Sequence, residues 1–221
     1  MWLIITIATY FFAKSLVNKF NIQLIPPIII SLILLIVFLL LSETEYEVYY
    51  KQSHWLSMLL ELGVVALSFP LYHQFRYISH HWKLLVITCL TISIMSMVIS
   101  LTLANVMGAD QTLMASMLSQ FITTPMAVNV SESLGGEPSV TAIIVLFVGL
   151  FGSCVSYPIF HYLRIKTSIS RGIPLGAASH VIGTARGMEH SSTDGAFSTV
   201  SLVLCGTFTS ILSPLAWGCF F

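Results

Sequence analysis

Two histidines, an arginine and a glutamate (His180, Arg186, Glu189 and His190) stand within eleven residues of a chain in which only 8% of residues are charged. They belong to the stretch Gly176-Ala177-Ala178-Ser179-His180-Val181-Ile182-Gly183-Thr184-Ala185-Arg186-Gly187-Met188-Glu189-His190, flanked by apolar runs and otherwise built from residues that let backbones approach closely. Arg186 carries the strongest chemical signal. Holding a charged side chain at the centre of a membrane helix costs roughly 2.5–3.5 kcal/mol, so such a residue marks a functional position by default. Its planar fork suits a carboxylate, bound through two parallel hydrogen bonds. The competing reading is an arginine near the hairpin exit that reaches for the interface or pairs with Glu189 three residues on. His180 suits proton coupling, because imidazole titrates near neutrality; a histidine hydrogen-bonded within helix packing is the plain alternative. Glu189 and His190 read as solvated groups close to the cytoplasmic surface.

A second polar stretch, Thr123-Thr124-Pro125 with Asn129 and Ser131, offers hydroxyls and an amide without formal charge. Proline is tolerated at the first helical position, so Thr-Thr-Pro reads as a helix start whose N–H groups and dipole attract an anion. Each hydroxyl taken alone is more simply an interhelical hydrogen-bond former. Candidate solute-binding residues are therefore Thr123, Thr124, Asn129, His180, Gly183, Thr184 and Arg186. No nucleophile–base pair, zinc-ligand spacing or nucleotide-binding glycine loop stands in the sequence, so neither an enzyme nor a cofactor or metal is expected.

These residues must be positioned by membrane helices. The chain has 221 residues, 56% of them hydrophobic, and no formal net charge; its mean hydropathy is +0.90. A soluble domain carries about 25% charged residues, so an all-α polytopic membrane protein is expected, with no nucleic-acid partner. The start of the chain lacks a basic region and a small-residue cleavage site, and reads as a retained span rather than a leader. The cysteines Cys89, Cys154, Cys205 and Cys219 sit in separate apolar runs, without redox or metal spacing.

About 20 mainly apolar residues cross a bilayer. Spans are expected over 2–20, 24–41, 56–76, 82–106, 138–163 and 196–220, with Pro70 kinking the third and Glu61 snorkelling or pairing with Lys51. Basic residues Lys14, Lys19, Arg76, Lys83, Arg164, Lys166 and Arg171 alternate with acidic or uncharged turnarounds, which puts the N-terminus outside. Residue 110 then lies outside and residue 164 inside, with only one ordinary span between them. The remaining stretch, 110–135, must enter and leave on one side as a hairpin with its tip near Thr123-Thr124-Pro125. By the same logic 171–195 is a hairpin from the cytoplasm, its tip near Gly183-Thr184-Ala185.

The two hairpins form a weak internal repeat. Thr124 aligns with Thr184, Ser131 with Ser191 and Gly135 with Gly195; after a short gap, Gly149 aligns with Gly206 and Ser153 with Ser210. Inverted repeats with interrupted helices meeting at midplane are a transporter signature, although small residues recur in membrane segments generally. The expected architecture is six spans plus two interrupted or re-entrant hairpins in an inverted repeat, divided into N-terminal scaffold helices at 1–106 and a repeat unit at 107–221.

Leu71-Tyr72-His73-Gln74, Thr123-Thr124-Pro125-Met126-Ala127, Ser131 through Gly136, Arg164-Ile165-Lys166, Arg171-Gly172, Gly176 to His180, Gly183-Thr184-Ala185-Arg186 with Glu189, and Gly195-Ala196-Phe197-Ser198 resemble the LrgB/CidB membrane-protein family over about residues 55–215. The chain departs from the usual family pattern at Ser119-Gln120-Phe121 and Val128-Asn129, which remove charge beside the first tip. The resemblance implies a holin- or antiholin-like protein of the bacterial plasma membrane, acting with a small LrgA/CidA-type membrane partner on murein hydrolases and autolysis. It also implies kinship with plastid glycolate/glycerate translocators and with bacterial proteins linked to pyruvate uptake. The arginine and the helix ends agree better with a carboxylate carrier than with a lytic pore. A secondary transporter, or a subunit of one, for monocarboxylates such as pyruvate, glycolate or lactate is therefore expected, in a homo-oligomer within the lipid bilayer.

Overall fold

The computed structural model describes residues 1–20, 26–66 and 68–221, with all their side chains except those at 57, 60, 61, 63, 64 and 70. The expectations for the Glu61 and Pro70 side chains thus lie outside the described residues. Every regular element among them is helical: α1 (Trp2–Phe20), α2 (Pro27–Leu41), α3 (Tyr46–Ala66), α4 (Ser68–His73), α5 (Phe75–His80), α6 (Trp82–Val106), α7 (Gln111–Leu118), α8 (Thr124–Ser133), α9 (Pro138–Tyr162), α10 (Ser168–His190) and α11 (Ser192–Phe220).

Four of these, α1, α6, α9 and α11, are long and apolar enough to cross a membrane; α2 is apolar but shorter. The expected spans at 2–20, 82–106 and 138–163 match α1, α6 and α9 to within a residue. The expected span at 56–76 falls across three described helices, and residue 67 between the first two lies outside the described residues. Its residues divide among α3, which already begins at Tyr46, and the short α4 and α5, because the polar run from Tyr46 to His54 continues helically into the apolar part. The last span begins at Ser192, earlier than expected, because the Ser191 hydroxyl accepts a hydrogen bond from the Thr193 N–H and caps the helix there.

The chain forms two compact units, Met1–Leu67 and Ser68–Phe221. In the first, Trp2 is buried with its ring edge-on to Phe38 and Tyr49. Its N–H donates to Gln52 Oε1, which ties the start of α1 to α3.

The second unit is packed inside out by the standards of a soluble protein. Its buried positions include Ser93, Ser131, Ser179, Thr184, Ser198 and Ser201, while Ile87, Phe147, Phe151, Val203, Ile211 and Leu215 face outward. Lipid tails solvate large apolar side chains as well as a protein core does, so close contact falls to small and hydroxyl-bearing residues. Gly172 and Gly176, four apart on α10, show this. A Cβ on Gly172 would lie 2.6 Å from Phe197 Cβ and 2.7 Å from the Asp194 carbonyl oxygen, and one on Gly176 would fall onto the Ser198 carbonyl oxygen. The Ser201 hydroxyl, one turn further along α11, donates to the Ile173 carbonyl at 2.6 Å.

The chain folds back on itself in both 110–135 and 171–195. In the first, α7 and α8 are separated at residues 119–123; the Glu137 N–H donates to Ser116 Oγ at 2.8 Å and the Ser119 hydroxyl to the Ala127 carbonyl at 3.0 Å, so the two arms run side by side. In the second, α10 is two helical stretches meeting at His180, whose backbone has φ 39° and ψ −130°. Residues 171 and 190 of a straight helix would lie roughly 28 Å apart. Here both reach the end of α9: Arg171 and Tyr157 share the Asp194 carboxylate, and the Tyr157 and His190 rings lie 4.2 Å apart. The turn falls at His180 and not at Gly183-Thr184-Ala185 as expected. Gly183 and Thr184 instead pack the returning arm: a Cβ on Gly183 would collide with Ser179, and Thr184 bonds across to α11.

Candidate functional site

The base of the first hairpin, Ser116 with Glu137, lies at the start of α9, whereas the base of the second lies at Tyr157, near its end. The two hairpins therefore open toward opposite ends of this helix, and their tips meet along its middle. Ile122, at the first tip, is buried in one cluster with Val145. His180, at the second, sits against Gly149, where a Cβ would collide with the imidazole Cε1; one on Gly152 would collide with Ser179 Oγ. Glycines one turn apart on α9 thus form the notch that receives the second tip. The first tip has a like seat on α11, where Met126 lies over Gly206. Gly149 and Gly206 thus each receive a side chain from one hairpin.

A cleft of ≈ 660 Å³ runs along α9 and touches both tips, through Phe121 of the first and Ala178 and Ser179 of the second. Phe147, Phe151 and Ile159 are among its walls. Its lining is apolar apart from Ser156 and Ser179, and no charged residue contributes.

The sequence-predicted residues divide by what they do here. His180 is 3% exposed, and its Nε2 has no hydrogen-bond partner. Thr184 is buried and engaged: its hydroxyl donates to the His180 carbonyl at 2.8 Å, covering a carbonyl beside the break, and lies 2.8 Å from Ser198 Oγ. Thr123 caps the start of α8 without a side-chain hydrogen bond, with Thr124 half-buried beside it and Asn129 exposed on the same helix. Arg186 lies on the returning arm, 3.2 Å from Glu189 in an i,i+3 ion pair whose side chains are 24% and 51% exposed. The tips thus bring His180, Gly183 and Thr184 against α9 and α11, while Asn129 and Arg186 stand further out.

Sequence reasoning missed the best-made polar cluster. Asp194 is wholly buried and takes a two-pronged bond from Arg171, Nε to Oδ2 at 2.7 Å and Nη2 to Oδ1 at 3.0 Å, plus one from the Tyr157 hydroxyl at 3.0 Å. The bonded carboxylate raises the Arg171 pKa above its ordinary value. The cluster joins the start of α10, the start of α11 and the end of α9, so it closes the base of the second hairpin. Ser191-Ser192-Thr193-Asp194 carries a local signal of a helix start, but nothing local connects Asp194 to Arg171. Ser179 was also passed over, because a serine in a membrane helix ordinarily bonds its own backbone; here its Oγ is buried without a partner.

These features define a helical integral membrane protein whose chain twice turns back partway along a spanning helix. The profile of the LrgB-like family matches residues 6–219, and the chain belongs to that family. A Bacillus subtilis protein named YxaC is 33% identical over 96% of this chain and 93% of its own length. A Haemophilus influenzae protein is 33% identical over 98% and 94%. A Staphylococcus epidermidis protein named Holin-like protein CidB is 30% identical over 97% and 94%. No solved structure matches the chain.

Proposed function

We propose that this chain is a carrier, or the larger subunit of a two-component carrier, for small monocarboxylates such as pyruvate, glycolate or lactate. The observation behind this reading is that two chain reversals, at Ile122 and at His180, pack against the middle of α9. Irregular backbone at membrane depth is tolerated where protein or a water-filled cavity surrounds it, and oppositely inserted interrupted helices are the usual frame of a midplane solute site. In this reading His180 and Thr123-Thr124 face the path. Gly183 and Thr184 hold the second tip, and Asn129 and Arg186 meet the anion toward the two surfaces. The setting is the bacterial plasma membrane with the N-terminus outside, and the partners are an LrgA/CidA-type protein and a further copy of the chain.

A second reading is favoured by the relatives named Holin-like protein CidB: a holin-like protein that modulates murein hydrolases and autolysis. Those names support it more directly than they support carboxylate transport. Uptake into proteoliposomes, with and without the LrgA/CidA-type partner, separates the two. A carrier gives saturable pyruvate uptake that unlabelled lactate competes away, and retains trapped sucrose. A holin-like protein leaks both solutes without saturation, increasingly so at higher protein-to-lipid ratios. Single cysteines at Ser133 and Ser191, in a background lacking the native cysteines, should be labelled from opposite faces. Labelling from one face would exclude the inverted insertion.

A further inference from the structure

Among the described residues, the buried side-chain nitrogen and oxygen atoms without a hydrogen-bond partner are Ser179 Oγ and His180 Nε2. They are consecutive in the chain, 0% and 3% exposed, and they stand at the non-helical turn of α10. A buried polar atom left unpaired costs about 1–3 kcal/mol, so native interiors keep few of them and each calls for a reason. The surrounding hydroxyls show that partners were available to this fold. Thr184 bonds the His180 carbonyl and Ser198, Ser201 bonds the Ile173 carbonyl, and Thr199 bonds the Gly195 carbonyl.

Both unpaired groups point at the glycine notch of α9, Ser179 toward Gly152 and His180 toward Gly149. Ser179 and Gly152 also line the apolar cleft. The helical stretch 181–190 begins directly after His180, so the positive end of its dipole lies at the same point. The pair therefore has what a recognition site needs: two hydrogen-bonding atoms without other partners, a positive dipole end and, on the Ser179 side, an apolar approach.

We propose that Ser179 Oγ and His180 Nε2 bind the carboxyl group of a small organic acid whose short apolar body lies in the cleft against the half-buried Val155 and Pro174. This deepens the carrier reading and rests on it, adding Ser179 as a binding residue and the cleft as the part that selects a short, apolar-bodied acid. The absence of a charged lining residue favours a monocarboxylate over a dicarboxylate or a sugar phosphate.

The test is equilibrium binding of radiolabelled pyruvate to the purified full chain in detergent, run beside uptake in proteoliposomes. The variants are Ser179→Ala, His180→Gln and, as control, Thr207→Ala on the exposed side of α11. Each single loss at the site should raise the Kd roughly two- to tenfold, the value of one hydrogen bond, and succinate should compete poorly. Thr207→Ala should bind as the parent does. Should Ser179→Ala fold poorly, the near-isosteric Ser179→Cys carries the same comparison. Unchanged Kd in both site variants, no pyruvate, lactate or glycolate binding by the parent, or displacement of pyruvate only by a long-chain fatty acid would each overturn the site. Pyruvate binding that weakens in both variants without saturable uptake by the parent would leave the site standing and remove the carrier reading instead.

Discussion

Replacing Arg171 with alanine should destabilise the folded chain by about 3–5 kcal/mol, the cost of stranding a buried charge. The Asp194 carboxylate is 0% exposed and cannot turn to water when its partner is removed. The Tyr157 hydroxyl remains to bond Oδ2, but it supplies no positive charge. Asp194→Asn should cost less, because Arg171 keeps 18% exposure and can re-solvate while the amide retains its size. The double variant should be more stable than Arg171→Ala alone, and the cycle of four proteins gives the coupling directly. Thermal unfolding of the detergent-solubilised protein, followed by loss of its monodisperse peak, measures the order. Equal losses in Arg171→Ala and in the double variant would mean that Asp194 is not held as a charge.

The Arg186–Glu189 pair offers the contrast. It joins neighbours three apart on one helix, with half of the Glu189 side chain exposed, and such pairs contribute about 0.2–0.5 kcal/mol. Glu189→Ala should therefore barely move the unfolding midpoint. Sequence drew attention to Arg186 because a charge within a membrane segment is costly to hold. The structure gives a two-pronged buried ion pair to Arg171, which reads from sequence as one more basic loop residue.

The same distinction explains what was legible beforehand. Composition and hydropathy identify α1, α6 and α9 because a span is a local property of about 20 residues. The count of basic loops leads to the expectation of a fold-back within 110–135, since an even number of crossings is incompatible with the charges at residues 110 and 164. The position of the second turn was not legible. Gly183-Thr184-Ala185 has the composition of a turn, yet the chain turns at His180, a residue that pays backbone strain at positive φ. The reason lies 31 residues earlier, in the notch at Gly149 that accepts the ring. The start of α3 was hidden for the opposite reason: hydropathy averages over a window and cannot see a helix begin in the polar residues at Tyr46. The bond between Arg171 and Asp194 spans two helices and leaves no mark at either position.

Gly149→Ala should be damaging although it adds a single methyl in the middle of α9. Its Cβ would collide with the His180 ring, and the ring has nowhere to withdraw: it is 3% exposed and fixed to a backbone outside the helical region. Overpacking of this kind costs about 1–3 kcal/mol, and it should displace the second tip and abolish solute uptake. Gly206→Ala, at the aligned position, should be far milder. The atoms it meets, at 3.1 and 3.2 Å, are the Sδ and Cε of Met126, the far end of a side chain that adapts easily. Gly218→Ala meets nothing and should gain about 0.5–1 kcal/mol from helix propensity. The order of unfolding midpoints is thus Gly218→Ala, Gly206→Ala, Gly149→Ala, from highest to lowest. Adding His180→Ala to Gly149→Ala should recover part of the lost stability without recovering uptake, because the methyl then occupies space the ring has left. A Gly149→Ala protein that unfolds with the parent and still transports would mean that the second tip does not seat against α9. The two hairpins are therefore unequal halves: one rests on a yielding methionine, the other on a fit between a ring and a glycine that a single methyl removes.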